Sequence, residues 1–152
     1  MKASSFLTKE QSAHILSAVK EAEKETSGEI RVHIENSFTG EVLDRAAWIF
    51  RKLDMHKTAE RNGVLFYLAI ESHKFAIIGD AGINSKVPEG FWDEIKFVME
   101  KDFRAGDFAG GLAKGIIMAG KQLKEHFPYQ KDDKNELSDE ISLGNPDITG
   151  SV

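Results

Sequence analysis

Two apolar runs joined by a short turn constrain the fold more than any other feature of this chain. Residues 64–70 and 74–80 flank the turn residues Ser72 and His73, which is the pattern of an antiparallel β-hairpin. The first run is almost continuously apolar, as is typical of a strand that helices cover on both faces in an α/β protein. Ligands of such sheets bind at the loops beyond the strand ends, so functional residues are expected there.

The rest of the chain predicts helices and one further strand. Thr8 and Gln11 have the spacing of a capping box and begin a helix that extends to about residue 25. Residues 29–35 alternate apolar and polar side chains, which predicts a strand with one wetter face. Apolar residues at helical spacing predict three more helices, near residues 41–53, 88–99 and 107–123, the last capped by Asp107.

The order of these elements predicts an α/β fold. A helix between the first strand and the hairpin makes those two strands parallel, with a right-handed crossover. We therefore expect a three-layer sandwich with a central mixed parallel and antiparallel sheet of roughly three to five strands, flanked by about four or five helices. Residues 1–128 form the predicted domain. Residues 129–152 are rich in polar and acidic side chains and are predicted to be a disordered tail.

Composition excludes several classes of function. The chain has 152 residues, of which 41% are hydrophobic, enough for one domain with a sizeable core. Its formal charge is −5 and it has no long basic run, so nucleic acid is not an expected partner. It has no cysteine, which excludes disulfides and thiolate chemistry. Without an apolar stretch long enough for a signal peptide or a membrane segment, it is expected to be soluble and cytoplasmic.

The predicted topology brings several oxygen ligands to one edge of the sheet. Parallel strands begin at the same end and the hairpin returns there, so Glu29, Glu60, Asn62 and Asp80 are expected to converge. Hard divalent cations prefer carboxylate and amide oxygens, with calcium taking roughly six to eight ligands and magnesium keeping more of its waters. These residues therefore predict a site for Ca²⁺ or Mg²⁺.

Simpler roles remain open for each of these residues. Glu29 and Glu60 can be solvated charges at strand ends, and Asp80 can stabilise a turn through its own side chain. Arg61 can hold an anion, although a structural salt bridge with Asp80 is the favoured interpretation. The five histidines lack the spacing of a helical zinc site and are expected at the surface or in turns.

The order of five short motifs resembles the TPM-domain family, which includes thylakoid-lumen phosphatase-like proteins and many bacterial proteins. The resemblance covers about residues 7–127 and rests on residues 7–8, 27–30, 61–65, 79–83 and 103–108. It implies an α/β sandwich, binding of a divalent cation and, in some plant members, acid phosphatase activity. The acidic and amide positions of the family fall on Glu29, Asn62 and Asp80, with Asp107 as a further matched acid.

This chain departs from the family pattern in two ways. Many members carry a signal peptide and a C-terminal membrane segment, and neither is recognisable in this sequence. The family also often has asparagine where this chain has Arg61, and a fixed positive charge beside a cation site weakens it unless the guanidinium turns away or binds a carboxylate.

The sequence therefore predicts a soluble α/β domain that binds Ca²⁺ or Mg²⁺ at the strand-end loops. One alternative is a metal-dependent acid phosphatase that acts on phosphate monoesters, with Arg61 holding the phosphate. Its nucleophile is not identifiable in the sequence, which leaves open whether the protein is an enzyme. A second alternative is a protein-interaction module whose partner is unknown.

Overall fold

The computed structural model describes residues 3–129 and 139–144. Its strands are β1 (Glu29–Glu35), β2 (Gly63–Ala69), β3 (Lys74–Gly79) and β4 (Ser142–Leu143). Its α-helices are α1 (Ala3–Phe6), α2 (Lys9–Glu23), α3 (Val42–Lys52), α4 (Ala81–Asn84), α5 (Phe91–Arg104) and α6 (Phe108–His126), and a 3₁₀ turn spans Met55–Lys57. The side chains of Thr8 and Gln11 cap α2 reciprocally, as predicted.

The four strands form one mixed sheet in the order β3-β2-β1-β4. Strands β1 and β2 are parallel, with Glu29 opposite Gly63, and α3 lies between them in the chain. Strands β2 and β3 are antiparallel, with Val64 opposite Gly79. The predicted hairpin, the parallel crossover and the α/β fold class are therefore confirmed.

Helices cover both faces of this sheet. Helix α3 packs on one face through Ala46, Ile49 and Phe50, which contact apolar residues of β2 and β3. Helices α2, α5 and α6 pack on the other face and contribute most of the larger core. Every residue of β2 is buried, which explains why its sequence is almost continuously apolar.

The part of the chain beyond residue 129 differs from the prediction where the structure describes it. Ser142 and Leu143 form β4, which pairs in parallel with β1, and Ile141 packs against the larger core. Ile141 and backbone pairing with the open edge of β1 hold this segment in place, although its composition is polar. The remaining positions of the predicted tail, 130–138 and 145–152, lie outside the described residues.

The polar face of β1 also differs from the prediction. Alternation predicted a wetter face, yet Glu29, His33 and Glu35 are all buried. Arg45 of α3 reaches this face and hydrogen-bonds Glu35, and Ser142 of the neighbouring strand β4 lies beside His33. The expectation that His33 lies at the surface or in a turn is therefore wrong, because alternation alone does not show whether water or protein covers a polar face.

Two local boundaries also differ. Residues 81–84 form the short helix α4, which is not among the helices predicted from the sequence, and α5 begins at Phe91 rather than near residue 88. Among the helices in the described ranges, none has both the length and the apolar character needed to cross a membrane.

Helices α2 and α6 pack closely enough to make Gly120 sensitive to substitution. A Cβ atom on Gly120 would lie 2.6 Å from Ala22 Cβ and 2.9 Å from Ala22 Cα. Gly120→Val should therefore lower the free energy of unfolding by about 1–3 kcal/mol through overpacking. Lys121→Val is the matched control, because Lys121 is exposed on the same helix. Urea denaturation of both variants checks this, and equal effects would contradict the close packing.

Candidate functional site

The starts of β1 and β2 and the end of β3 meet at one edge of the sheet. The N–H of Glu29 donates to the carbonyl of Asn62 at 3.4 Å, and the N–H of Asp80 donates to the carbonyl of Gly63 at 2.9 Å. The structure therefore brings Glu29, Asn62 and Asp80 to the same edge, with Glu60 two residues before Asn62. We call this group the β-edge cluster, comprising Glu29, Glu60, Asn62 and Asp80.

A small hydrogen-bond network links the loops at this edge. The Ser27 hydroxyl donates to Glu60 Oε2 at 3.0 Å, and Asn62 Nδ2 donates to Glu60 Oε2 at 3.3 Å. Asn62 is 1% exposed, and its backbone N–H donates to Thr58 Oγ1 at 3.3 Å. Within the described ranges, the buried Oδ1 atom of Asn62 has no hydrogen-bond donor. Such an acceptor costs free energy unless a bound group satisfies it.

Arg61 and Asp80 form a bidentate ion pair beside this network. Arg61 Nε and Nη2 donate to the two carboxylate oxygens of Asp80 at 2.7 Å and 2.8 Å. Burial of Asp80 raises its pKa, but the Arg61 hydrogen bonds and the N–H of Ala81 outweigh that effect, so the pKa lies below its ordinary value. The favoured prediction, a structural salt bridge, is confirmed. Asp80 also caps α4 through Ala81 at 2.7 Å.

The backbone around Arg61 is tightly built. Arg61 itself has a positive φ of 52°, a conformation that side chains other than glycine, asparagine and aspartate adopt at some cost. A Cβ atom on Gly82 would lie 2.1 Å from the Glu60 carbonyl oxygen and 2.6 Å from that of Arg61. Only glycine at position 82 allows α4 to approach the loop of residues 60–61 so closely. Because Asp80 caps α4, this close contact also fixes the position of Asp80 relative to that loop.

Two residues at this edge were not singled out from the sequence. His56 lies near Asp80, and a positive charge on the His56 ring lowers the pKa of Asp80. The buried Nδ1 atom of His56 has no hydrogen-bond partner in the described part of the chain. Thr58 is buried and accepts the Asn62 N–H. A histidine and a threonine just before a strand are a weak signal on their own, and only the turn at Met55–Lys57 folds them back onto the edge.

Asp107 does not lie with the β-edge cluster. It caps α6, where its Oδ1 accepts from the Gly110 N–H at 2.9 Å. The next residue, Phe108, contacts Phe103, which contacts Phe75 at the hairpin end of the sheet. Nearly the whole of β2 separates the two ends, about 20 Å at roughly 3.4 Å per residue. The predicted capping role is confirmed, and the structure places Asp107 apart from Glu29 and Asp80.

A second polar cluster lies at the other end of β1, on the face beneath α3. Arg45 Nε and Nη2 donate to the two Glu35 oxygens at 2.8 Å and 2.7 Å, and the Tyr67 hydroxyl donates to Glu35 Oε2. The hydrogen bond to Glu35 raises the pKa of Arg45 above its ordinary value. Burial, reinforced by the bond to Glu35, raises the pKa of Tyr67 in the same way. These contacts compensate the charge of a fully buried carboxylate.

His33 joins this cluster to β4. Its Nδ1 lies 2.8 Å from the Ser142 hydroxyl, its ring stacks on Tyr67 with centroids 6.1 Å apart, and its Nε2 is 4.0 Å from Glu35 Oε1. Burial lowers the pKa of His33 to about 4, although Glu35 opposes this shift and Arg45 and Arg31 add to it. The imidazole is therefore neutral near pH 7.

A family model described as TPM domain matches residues 1–122. The chain belongs to the TPM-domain family. The sequence-based resemblance is thereby confirmed, and the matched region contains both polar clusters apart from Ser142. No curated protein matches this chain significantly.

Three bacterial proteins are among those whose solved structures have the same fold. The NMR structure of the BA42 protein from the psychrophilic bacterium Bizionia argentinensis is 44% identical, with a TM-score of 0.86 over 95% of this chain and 99% of that chain. The N-terminal domain of a P. gingivalis protein is 21% identical, with a TM-score of 0.66 and 83% of each chain covered. The N-terminal domain of cg2496 from Corynebacterium glutamicum is 15% identical, with a TM-score of 0.61 over 77% of this chain and 74% of that chain. The latter two share the fold alone.

The low pKa of His33 predicts a loss of stability in acid. The unfolded value is 6.5 and the folded value about 4, so the unfolded chain binds the extra proton first and stability falls as pH drops through this window. The loss amounts to about 3 kcal/mol, at about 1.4 kcal/mol per pKa unit. Urea denaturation between pH 7 and pH 4 measures it.

Two variants isolate the contribution of His33. Burial raises the pKa of Glu23 to about 9, which changes stability in the opposite direction, so the profiles of variants must be compared with that of the wild type. His33→Gln should flatten the acid loss, whereas His14→Gln, at an exposed histidine, should keep it. Parallel profiles for the wild type and His33→Gln would rule out this assignment.

Proposed function

We propose that this TPM domain binds a divalent cation, Ca²⁺ or Mg²⁺, at the β-edge cluster. The observation that carries the proposal is the buried Oδ1 atom of Asn62, which has no donor in the described part of the chain. A cation is the simplest group that satisfies such an acceptor beside acidic residues, because hard cations take amide and carboxylate oxygens together.

The available ligands fit a cation that keeps part of its water shell. Within residues 3–129 and 139–144, no three histidine or acidic side chains are placed to hold one metal ion together. The ion would therefore combine one or two carboxylates, from Glu60 and Asp80, with the neutral oxygen of Asn62 and with water. Such a mixed set suits Mg²⁺, and Ca²⁺ also accepts it because its geometry is flexible.

Burial and charge around the cluster favour a cation over an anion. Glu29 and Asp80 are both buried at this edge, Glu60 hydrogen-bonds Asn62, and Arg61 is the cation that already balances Asp80. Arg61 is 52% exposed whereas Asp80 is 6% exposed, so the guanidinium has room to move toward water when a metal ion replaces it. Asp107 is not part of the proposed site, because it lies at the opposite end of β2.

A bound cation would connect the loops that start β1 and β2 with the end of β3. It would also act as a Lewis acid toward an oxygen of any ligand that reaches the edge. The phosphatase alternative needs this chemistry together with a nucleophile and an anion-binding group. Arg61 is engaged with Asp80 in a bidentate pair, which favours a charge-balancing role over phosphate binding.

The first test is a titration with Ca²⁺ and with Mg²⁺ of the wild type and of Asp80→Asn. Removing one ligand charge should weaken binding by about tenfold or more. Glu71→Gln is the control, because Glu71 is exposed in the hairpin turn at the far end of the sheet. NMR chemical shifts of Asn62 and its neighbours report occupancy. The melting temperature of the wild type should also rise with metal concentration.

Two outcomes would refute the cation site. One is an unchanged melting temperature of the wild type at saturating concentrations of both ions. The other is an equal loss of affinity in Asp80→Asn and Glu71→Gln, which would show that only the overall charge matters.

The second test asks what Arg61 does. Arg61→Asn removes the charge with a residue that tolerates the positive φ at this position. If Arg61 balances the carboxylates, this variant should bind Ca²⁺ or Mg²⁺ several-fold more tightly, because a competing cation at short range is lost. Arg104→Asn, at an exposed residue on α5, should leave the affinity unchanged.

The same variant distinguishes a binding protein from a phosphatase. Release of phosphate from p-nitrophenyl phosphate by the wild type is measured with each metal ion. Metal-dependent turnover that disappears in Arg61→Asn would favour the phosphatase, with Arg61 orienting the phosphate. Absence of turnover together with tighter metal binding is the expected result.

A further inference from the structure

The outer edge of β1 is occupied by a short segment of the same chain. Residues 139–144 lie beside it, with Ser142 opposite His33 and Leu143 opposite Ile34, and the Gly144 N–H donates to the Ile34 carbonyl at 2.9 Å. Nearer the start of β1 on the same edge, the Oε2 atom of Glu23 accepts the N–H of Ile30 at 2.7 Å. Only a short stretch of the edge is therefore open to strand pairing, and this segment fills it.

Three consecutive side chains of the segment meet complementary groups on the domain. Ile141 packs against the larger core, and the Ser142 hydroxyl lies 2.8 Å from His33 Nδ1. Burial lowers the pKa of Arg31, and the charge of Glu140 opposes that shift. Strand pairing thus places an acidic residue near Arg31, an aliphatic residue on the core and a hydroxyl on His33.

This complementarity is incomplete. The Nε atom of Arg31 and the Nε2 atom of His33 are both buried without a hydrogen-bond partner among the described residues. A segment of slightly different sequence or register can hydrogen-bond these unused nitrogen atoms, and satisfying a buried polar group gains affinity. The edge therefore retains hydrogen-bonding groups that its present occupant does not use.

We propose that the outer edge of β1 is a recognition groove for an extended segment of a partner protein that carries an acidic, an aliphatic and a hydroxyl residue in succession, and that residues 140–142 occupy it as an intramolecular competitor. Recognition is by strand addition, in which backbone hydrogen bonds supply affinity and alternate side chains supply specificity. Charge complementarity with Arg31 and the hydroxyl contact with His33 define the partner. The proposal does not depend on the cation site.

The test uses full-length variants that empty the groove. Ile141→Asp places a charge against the core and should release the segment. Leu143→Asp introduces the same charge two residues later, where the side chain is 48% exposed, and should leave the segment bound. Faster hydrogen exchange of the Gly144 amide in Ile141→Asp, compared with Leu143→Asp, checks that the groove has opened.

A fluorescent peptide with the sequence of residues 139–144 is then titrated into each protein, and its anisotropy is measured. Ile141→Asp should bind it about tenfold more tightly than the wild type or Leu143→Asp, because a tethered competitor acts at an effective concentration in the millimolar range. Replacing the residue at position 140 of the peptide by glutamine should weaken binding several-fold, since Arg31 loses its acidic partner.

Three results would each overturn the proposal. The first is the absence of saturable binding of the peptide by Ile141→Asp. The second is equal binding by all three proteins, which would show that the segment does not compete. The third is a wild-type dimer that is lost in Ile141→Asp, because exchange of the segment between two copies would then replace a partner protein as the occupant.

Discussion

The burial of β2 on both faces is the constraint on which the rest of this structure depends. All seven residues of this strand are buried, with α3 on one side and α2, α5 and α6 on the other. A strand in this position leaves little room for polar side chains along its length, and Tyr67 is accommodated because its hydroxyl bonds Glu35. Charged groups that serve a ligand are therefore confined to the loops at its ends or to the neighbouring strand.

Strand β1 shows how the domain accommodates polar residues inside this frame. Its polar face lies under α3 and beside β4, and each buried charge there needs a compensating group. Glu35 obtains Arg45 and Tyr67, whereas His33 avoids the cost by staying neutral. At the opposite end, the backbone N–H of Glu29 donates to the carbonyl of Asn62 in the β-edge cluster. The same strand thus carries a compensated carboxylate at one end and begins beside the β-edge cluster at the other.

The ion pair of Arg61 and Asp80 connects the fold with the proposed function. It holds the loop before β2 against the start of α4, where Gly82 allows the two backbones to touch. The same pair places a positive charge where a metal ion would bind. A positive charge on a half-exposed side chain can be displaced, whereas the buried carboxylate must keep some partner. This asymmetry is the physical basis for proposing a cation site at this edge.

Local patterns in the sequence determined the hairpin, the capping box of α2, the cap at Asp107 and the parallel crossover, because each depends on neighbouring residues or on short connections. The edge that joins Glu29, Asn62 and Asp80 also followed from that topology. Only the tertiary structure decided that Asp107 lies at the other end of β2, that the polar face of β1 is buried and that Ile141 docks beside it. These features depend on which surfaces the helices and distant segments cover. The alternation of residues along a strand shows only which side chains share a face, and it does not show whether protein or water covers that face.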